Sequence, residues 1–97
     1  MIMRLTEDEQ VLIKRVIASA FGNDAGIWLF GSRADDSKRG GDVDLYVESS
    51  IVDTYSARLQ ALRALESALP YPVDLVVHES GRDLPVYRIA RAQGVRL

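Results

Sequence analysis

Long amphipathic patterns alternate with short apolar segments along this chain, and this alternation restricts it to folds in which helices cover a small sheet. Apolar residues recur at helical spacing over residues 12–21 and again over 57–69. Residues 27–30, 43–47 and 72–78 fit strands, because they are either continuously apolar or alternate with a two-residue period. The predicted order is α-β-(short α)-β-α-β-α, an α/β fold with a small mixed sheet covered by helices.

Capping residues mark the predicted helix ends. Thr6 begins a capping-box pattern, and Asp53 or Thr54 can cap the second long helix. Pro85 suits the first turn of a last helix, and Gly94 suits its C-terminal cap. These positions predict three helices besides the short one.

Composition excludes several classes of protein. The chain has 97 residues, which fits one domain over 1–97, and it contains no cysteine. A net charge of −2 is not typical of a protein that holds nucleic acid mainly through its charge. No apolar run approaches the roughly 20 residues of a membrane span, and the start of the chain has no apolar signal stretch. We therefore expect a cytoplasmic protein with no membrane contact.

Three aspartates predict a metal site. Asp42 and Asp44 are one residue apart in a predicted strand, so their carboxylates project to the same side. Asp74 lies inside an otherwise apolar strand, where a lone carboxylate is costly unless it is paired or coordinated. If the two strands are neighbours, three carboxylates meet and can hold two Mg²⁺ ions, or Mn²⁺, for phosphoryl transfer.

A glycine-rich loop predicts phosphate binding beside these acids. Gly31 and Ser32 follow a buried strand directly, and glycine lets the backbone approach a ligand closely. If a short helix begins at Ser32, its first amides and the hydroxyl face an incoming anion. Arg33 is the loop cation expected to contact phosphate. A nucleoside triphosphate with Mg²⁺ needs both a phosphate cradle and a metal site.

Each of these residues also has a purely structural interpretation. Gly31 and Ser32 could form an ordinary turn. Asp42 could cap a strand, with Asp44 at a solvated strand position. Asp74 could pair with an arginine.

Other conspicuous side chains favour structural roles. We expect Trp28 and Phe30 to belong to the core, and His78 to lie at a strand end without binding a metal. Part of the Leu and Ala stripe over 57–69 is expected to be core, and part could contact a partner.

The pattern Gly31-Ser32, nine residues, then Asp42-x-Asp44, with Asp74 on a later strand, resembles the DNA polymerase beta-like nucleotidyltransferase superfamily. It resembles most the minimal nucleotidyltransferases, although many of these have ten intervening residues and a glycine where this chain has Asp36. The resemblance implies a palm-like fold and Mg²⁺-dependent transfer of AMP from ATP. It also implies Asp42, Asp44 and Asp74 as catalytic metal ligands, and Gly31, Ser32 and Arg33 as nucleotide-binding residues.

The resemblance further implies a partner protein. Minimal nucleotidyltransferases are often antitoxins of helical HEPN RNase toxins and attach AMP to a toxin tyrosine, so we expect a hetero-oligomer. Two alternatives stay open. The chain could be the catalytic subunit for a small-molecule hydroxyl with a separate helical substrate-binding subunit, or a non-catalytic antitoxin that only binds its partner.

Overall fold

The first helix begins as its sequence predicts. A computed structural model describes residues 5–31 and 42–97. In it, helix α1 spans Glu7–Phe21, and the Thr6 hydroxyl accepts a hydrogen bond from the Glu9 amide while the Thr6 amide donates to the Glu9 carboxylate. The predicted capping box is therefore confirmed. Gly22 caps the C-terminus of this helix, and its φ of 101° suits a residue without a side chain.

Within the part of the chain that the structure describes, a four-stranded mixed sheet lies at the centre. Its strands are β1 (Gly26–Phe30), β2 (Val43–Glu48), β3 (Val73–Val77) and β4 (Val95–Arg96). The spatial order is β3-β2-β1-β4, with β1 antiparallel to β2 and β4, and β2 parallel to β3. The predicted small mixed sheet is confirmed. Strand β4 was not predicted, because two residues are too few to show a two-residue period.

Helix α2 supplies the crossover that the parallel pair of β2 and β3 requires. It spans Thr54–Ala68, and the Asp53 carboxylate caps it by accepting from the Ser56 amide at 3.0 Å. Helices α1 and α2 contact each other and cover one face of the sheet. The fully buried side chains of this main core include Ile13, Ile17, Phe21, Leu29, Val43, Leu45, Val47 and Leu65.

Helix α3, which spans Pro85–Gln93, covers part of the opposite face. Its Tyr87 packs with Trp28 and Tyr46 in a second, smaller cluster. Gly94 caps the C-terminus of this helix as predicted, and its amide donates to the Ala90 carbonyl oxygen. Glycine fits there because a Cβ would lie 2.8 Å from the Leu29 carbonyl oxygen. Among residues 5–31 and 42–97, no helix has the length and apolarity needed to cross a membrane.

Candidate functional site

Two of the three predicted site acids face each other on neighbouring strands. Asp44 of β2 is the register partner of Asp74 of β3, although the two lie thirty residues apart in the sequence. Side chains alternate along β2, so Val43 and Leu45 enter the main core while Asp44 lies on the face that carries α3. The structure thus brings together the two predicted strands and puts both carboxylates on one face.

The third acid, Asp42, lies at the start of β2 and is exposed. Burial raises the pKa of the Asp44 carboxyl above its usual range, and the charges of Asp74 and Asp42 raise it further, in that order. Three carboxylates therefore repel one another at this end of the sheet. A bound cation relieves such repulsion.

The backbone of Gly31 passes directly beside this acid pair. Gly31 follows Phe30, the residue of β1 that pairs with Asp44, and adopts a φ of 73°. A Cβ at position 31 would collide with the Asp44 carboxylate. Only glycine combines this left-handed conformation with so close an approach. The predicted cradle residue and the predicted metal ligand are therefore in contact.

Several predicted residues lie outside the described part of the chain. They are Ser32, Arg33, Asp36 and the short helix expected to begin at Ser32.

The donor set at this end of the sheet fits a hard divalent cation. Carboxylate oxygens from Asp42, Asp44 and Asp74 are ligands of the kind that Mg²⁺ prefers. Within the two described ranges, no three His, Cys, Asp or Glu side chains converge closely enough to enclose a metal by themselves. Mg²⁺ sites commonly use one or two carboxylates and take their other ligands from water and substrate phosphates. The carboxylates therefore fit a site that a nucleotide completes.

An aromatic stack supports the strand that carries Asp44. Tyr46 is fully buried, and its ring lies 5.5 Å from that of Trp28 and 5.4 Å from that of Tyr87, measured between centroids. Its hydroxyl donates to the Glu48 carboxylate at 2.7 Å. Burial and this hydrogen bond raise the pKa of Tyr46 well above its usual range. The stack therefore packs β1 and β2 against α3 on the face of the sheet that carries Asp44.

The expectations for the remaining aromatic residues and His78 agree with this arrangement. Trp28 is buried and Phe30 packs against the second cluster, as expected for core residues. His78 follows the end of β3, and its ring lies 4.8 Å from that of Tyr87. These side chains support α3 on the sheet.

A cavity of about 330 Å³, which no pattern in the sequence predicts, opens beside Asp74. It lies along the outer edge of β3, between α2 and the start of α3, and Arg58 and Tyr87 contribute to its lining. A larger cavity of about 590 Å³ follows the outer surface of α2 and has no acidic lining residue. We give weight to the smaller cavity because it contains a predicted site carboxylate. Nothing in the sequence marks Arg58 as a residue of this cavity, since an arginine in a helix is usually solvated.

Comparisons with known proteins show the family to which the chain belongs. The family model described as polymerase beta, nucleotidyltransferase matches residues 5–95. A crystal structure from Shewanella oneidensis is similar, with a TM-score of 0.68 and 21% identity over 96% of this chain and 71% of that one. Among curated proteins, none matches significantly. Because the family model matches nearly the whole chain, this chain belongs to the polymerase beta nucleotidyltransferase family.

Proposed function

We propose that the chain transfers AMP from ATP to an acceptor hydroxyl in a Mg²⁺-dependent reaction. The observation that carries this proposal is the in-register pair of Asp44 and Asp74, with the backbone of Gly31 against Asp44. This arrangement offers oxygen ligands for a divalent cation and a close backbone approach for phosphate at adjoining positions.

In the proposed reaction, the acceptor oxygen attacks the α-phosphorus of ATP. A new P–O bond forms, the bond to the bridging oxygen of pyrophosphate breaks, and pyrophosphate leaves. Asp74 accepts the hydroxyl proton, while Asp42 and Asp44, together with Asp74, are the residues that would hold metal. Mg²⁺ bound there supplies Lewis-acid stabilisation of negative charge on the phosphate oxygens. The residues proposed to contact the triphosphate are Gly31, Ser32 and Arg33.

The acceptor that we propose is a tyrosine of a helical HEPN RNase, for which the chain acts as an antitoxin. The resemblance of the Gly31-Ser32 and Asp42-x-Asp44 pattern to the minimal nucleotidyltransferases, which often pair with a toxin, supports a two-protein assembly. A phenol with a pKa of about 10 suits a site in which a carboxylate takes the proton.

The test is mass spectrometry of the partner after incubation with ATP and Mg²⁺. We expect a mass increase of one AMP on a tyrosine, and none when Asp42→Asn and Asp44→Asn are combined. Asp74→Asn should spare ATP binding but slow transfer about 10²–10⁴-fold, because the proton acceptor is lost. Glu66→Gln removes an exposed acid on α2 and is the matched control, with transfer at the parental rate.

One outcome would reject the antitoxin role but keep the chemistry. This is efficient transfer to a small-molecule hydroxyl or to a nucleic-acid end, with no adduct on the partner. Transfer by Asp74→Asn at the parental rate would show that this carboxylate has a structural role instead.

A second candidate is a non-catalytic antitoxin that neutralises its partner by binding alone. The observation in its favour is that the described acidic side chains do not by themselves converge on a metal. It predicts that the Asp42→Asn, Asp44→Asn double variant neutralises the toxin as well as the parent does.

A further inference from the structure

The cavity beside Asp74 wraps around the exposed edge of the sheet. Among the strands of residues 5–31 and 42–97, β3 lies at the edge of the sheet, with β2 on one side and no strand of those ranges on the other. The cavity runs along that free edge, between the first turns of α2 and the beginning of α3. A volume of about 330 Å³ is at the lower end of the range for small-ligand sites. It can therefore admit one side chain and its backbone, but not a folded element.

The walls of this cavity suit an aromatic ring. Val76 and Leu84 supply apolar surface, and Tyr87 is a buried aromatic residue whose hydroxyl accepts from the Glu79 amide. Tyr55 at the rim is 73% exposed. Aromatic rings pack favourably against such surfaces, in offset or edge-to-face arrangements.

The positively charged side chain of Arg58 lines the cavity close to Asp74. The Arg58 Nε donates to the Leu75 carbonyl oxygen at 3.0 Å, which anchors the guanidinium at the edge of β3, one residue from Asp74. Arg58 makes no ion pair with any residue of the two described ranges. Its two terminal nitrogens can therefore donate to a ligand. A positive charge beside a phenol favours the phenolate.

The order of the strands places the proposed triphosphate site and the proposed acceptor site on opposite sides of Asp44. Gly31 lies at the end of β1, Asp44 on the middle strand β2, and Asp74 on the edge strand β3. A triphosphate held at Gly31 occupies the β1 side of the acid pair. The open route to Asp74 is then from the β3 edge, through the cavity.

We propose that this cavity is the acceptor site, that it takes a tyrosine side chain of the acceptor polypeptide, and that Arg58 positions the phenol beside Asp74. The inference rests on the proposed function for its chemistry. Its binding test does not depend on turnover. Arg58 is a positioning residue here, since its effect on the reaction passes through the orientation and charge of the acceptor.

The test uses N-acetyl-tyrosinamide as the probe, titrated into the full ¹⁵N-labelled chain and followed by NMR. We expect the largest shifts at the amides of Leu75, Val77 and Leu84. Arg58→Gln should weaken binding about tenfold, because a charge-assisted hydrogen bond is lost. Arg63→Gln changes an exposed arginine that faces the other cavity on α2, and it should leave the affinity within about twofold.

Two comparisons complete the test. N-acetyl-serinamide, which has a hydroxyl but no ring, should bind more weakly than the tyrosine probe. Equal binding of the two probes, shifts confined to another surface, or no shift at all would overturn the inference. If ATP with Mg²⁺ fails to bind while the tyrosine probe still shifts these amides, the proposed function fails and the cavity assignment stands. If ATP with Mg²⁺ binds but the probe does not, only the cavity assignment fails.

Discussion

At the residue scale, the site depends on one contact between a glycine and a carboxylate. Gly31 has a left-handed backbone conformation and leaves no space for a Cβ beside Asp44. Gly81 has a similar φ of 82°, but a Cβ there would meet nothing within 4 Å. The two glycines therefore share a backbone requirement and differ only in what surrounds them.

This difference makes a controlled prediction possible. Gly31→Ala and Gly81→Ala should each cost about 1–2 kcal/mol of folding free energy, since both place a side chain in the left-handed region. Only Gly31→Ala should also displace the Asp44 carboxylate and weaken Mg²⁺-dependent ATP binding by at least tenfold. Denaturant unfolding measures the first effect and calorimetry with ATP the second. Equal ATP affinity in the two variants would contradict the assigned role of the contact.

At the element scale, a side chain caps the N-terminus of each long helix, but the two capping groups differ in charge. The neutral Thr6 hydroxyl caps α1, whereas the Asp53 carboxylate caps α2. Hydrogen bonds, chiefly from the Ser56 amide, hold the pKa of Asp53 below its ordinary value. A carboxylate whose pKa is lowered by folding stabilises the native state while it is charged.

The pH dependence of Asp53→Asn follows from that shift. The stabilisation is present above the unfolded pKa, near 3.8, and is lost as the pH falls through the lower folded value. Asparagine caps helices about as well as aspartate, so the variant should match the parent near neutral pH. Below about pH 4 the parent should lose the stabilisation that its charged cap provides and become less stable than the variant, whose amide cap does not titrate. Thermal unfolding followed by circular dichroism across this range measures the difference, with Glu66→Gln as the control for removing an acid from α2. A constant gap between parent and variant at every pH would argue against the charge effect.

At the scale of the whole molecule, the sheet separates two cores of unequal size. The main core lies under α1 and α2, while the smaller cluster under α3 adjoins the acidic end of the sheet. Stability is therefore concentrated on one face, and the candidate site lies on the other.

This separation predicts how a core substitution acts. Leu65 is fully buried in the main core, so Leu65→Ala should lower the free energy of unfolding by about 2–5 kcal/mol. Leu59 on the same helix lies outside the core cluster, and Leu59→Ala should cost less than about 1 kcal/mol. Denaturant unfolding gives both values. ATP binding by the folded fraction of Leu65→Ala should equal that of the parent, and a selective loss would show that the two faces are coupled.

The sequence by itself determined what depends on local geometry. Strand alternation predicted that the Asp42 and Asp44 carboxylates project to one side, and the pattern of Thr6 and Glu9 predicted the first capping box, which the structure confirms. A two-residue period and a helix start are set by neighbouring residues, so they can be read along the chain.

Only the tertiary structure decided which distant segments meet. The pairing of Asp44 with Asp74, the contact of Gly31 with Asp44, and the position of Arg58 at the edge of β3 all depend on strand order and helix docking. Tyr46 alternates like a surface residue in the sequence, yet α3 covers that face and buries it completely. The two-residue strand β4 exists because β1 offers it a partner. Burial and strand pairing are properties of the packed molecule, and no local pattern specifies them.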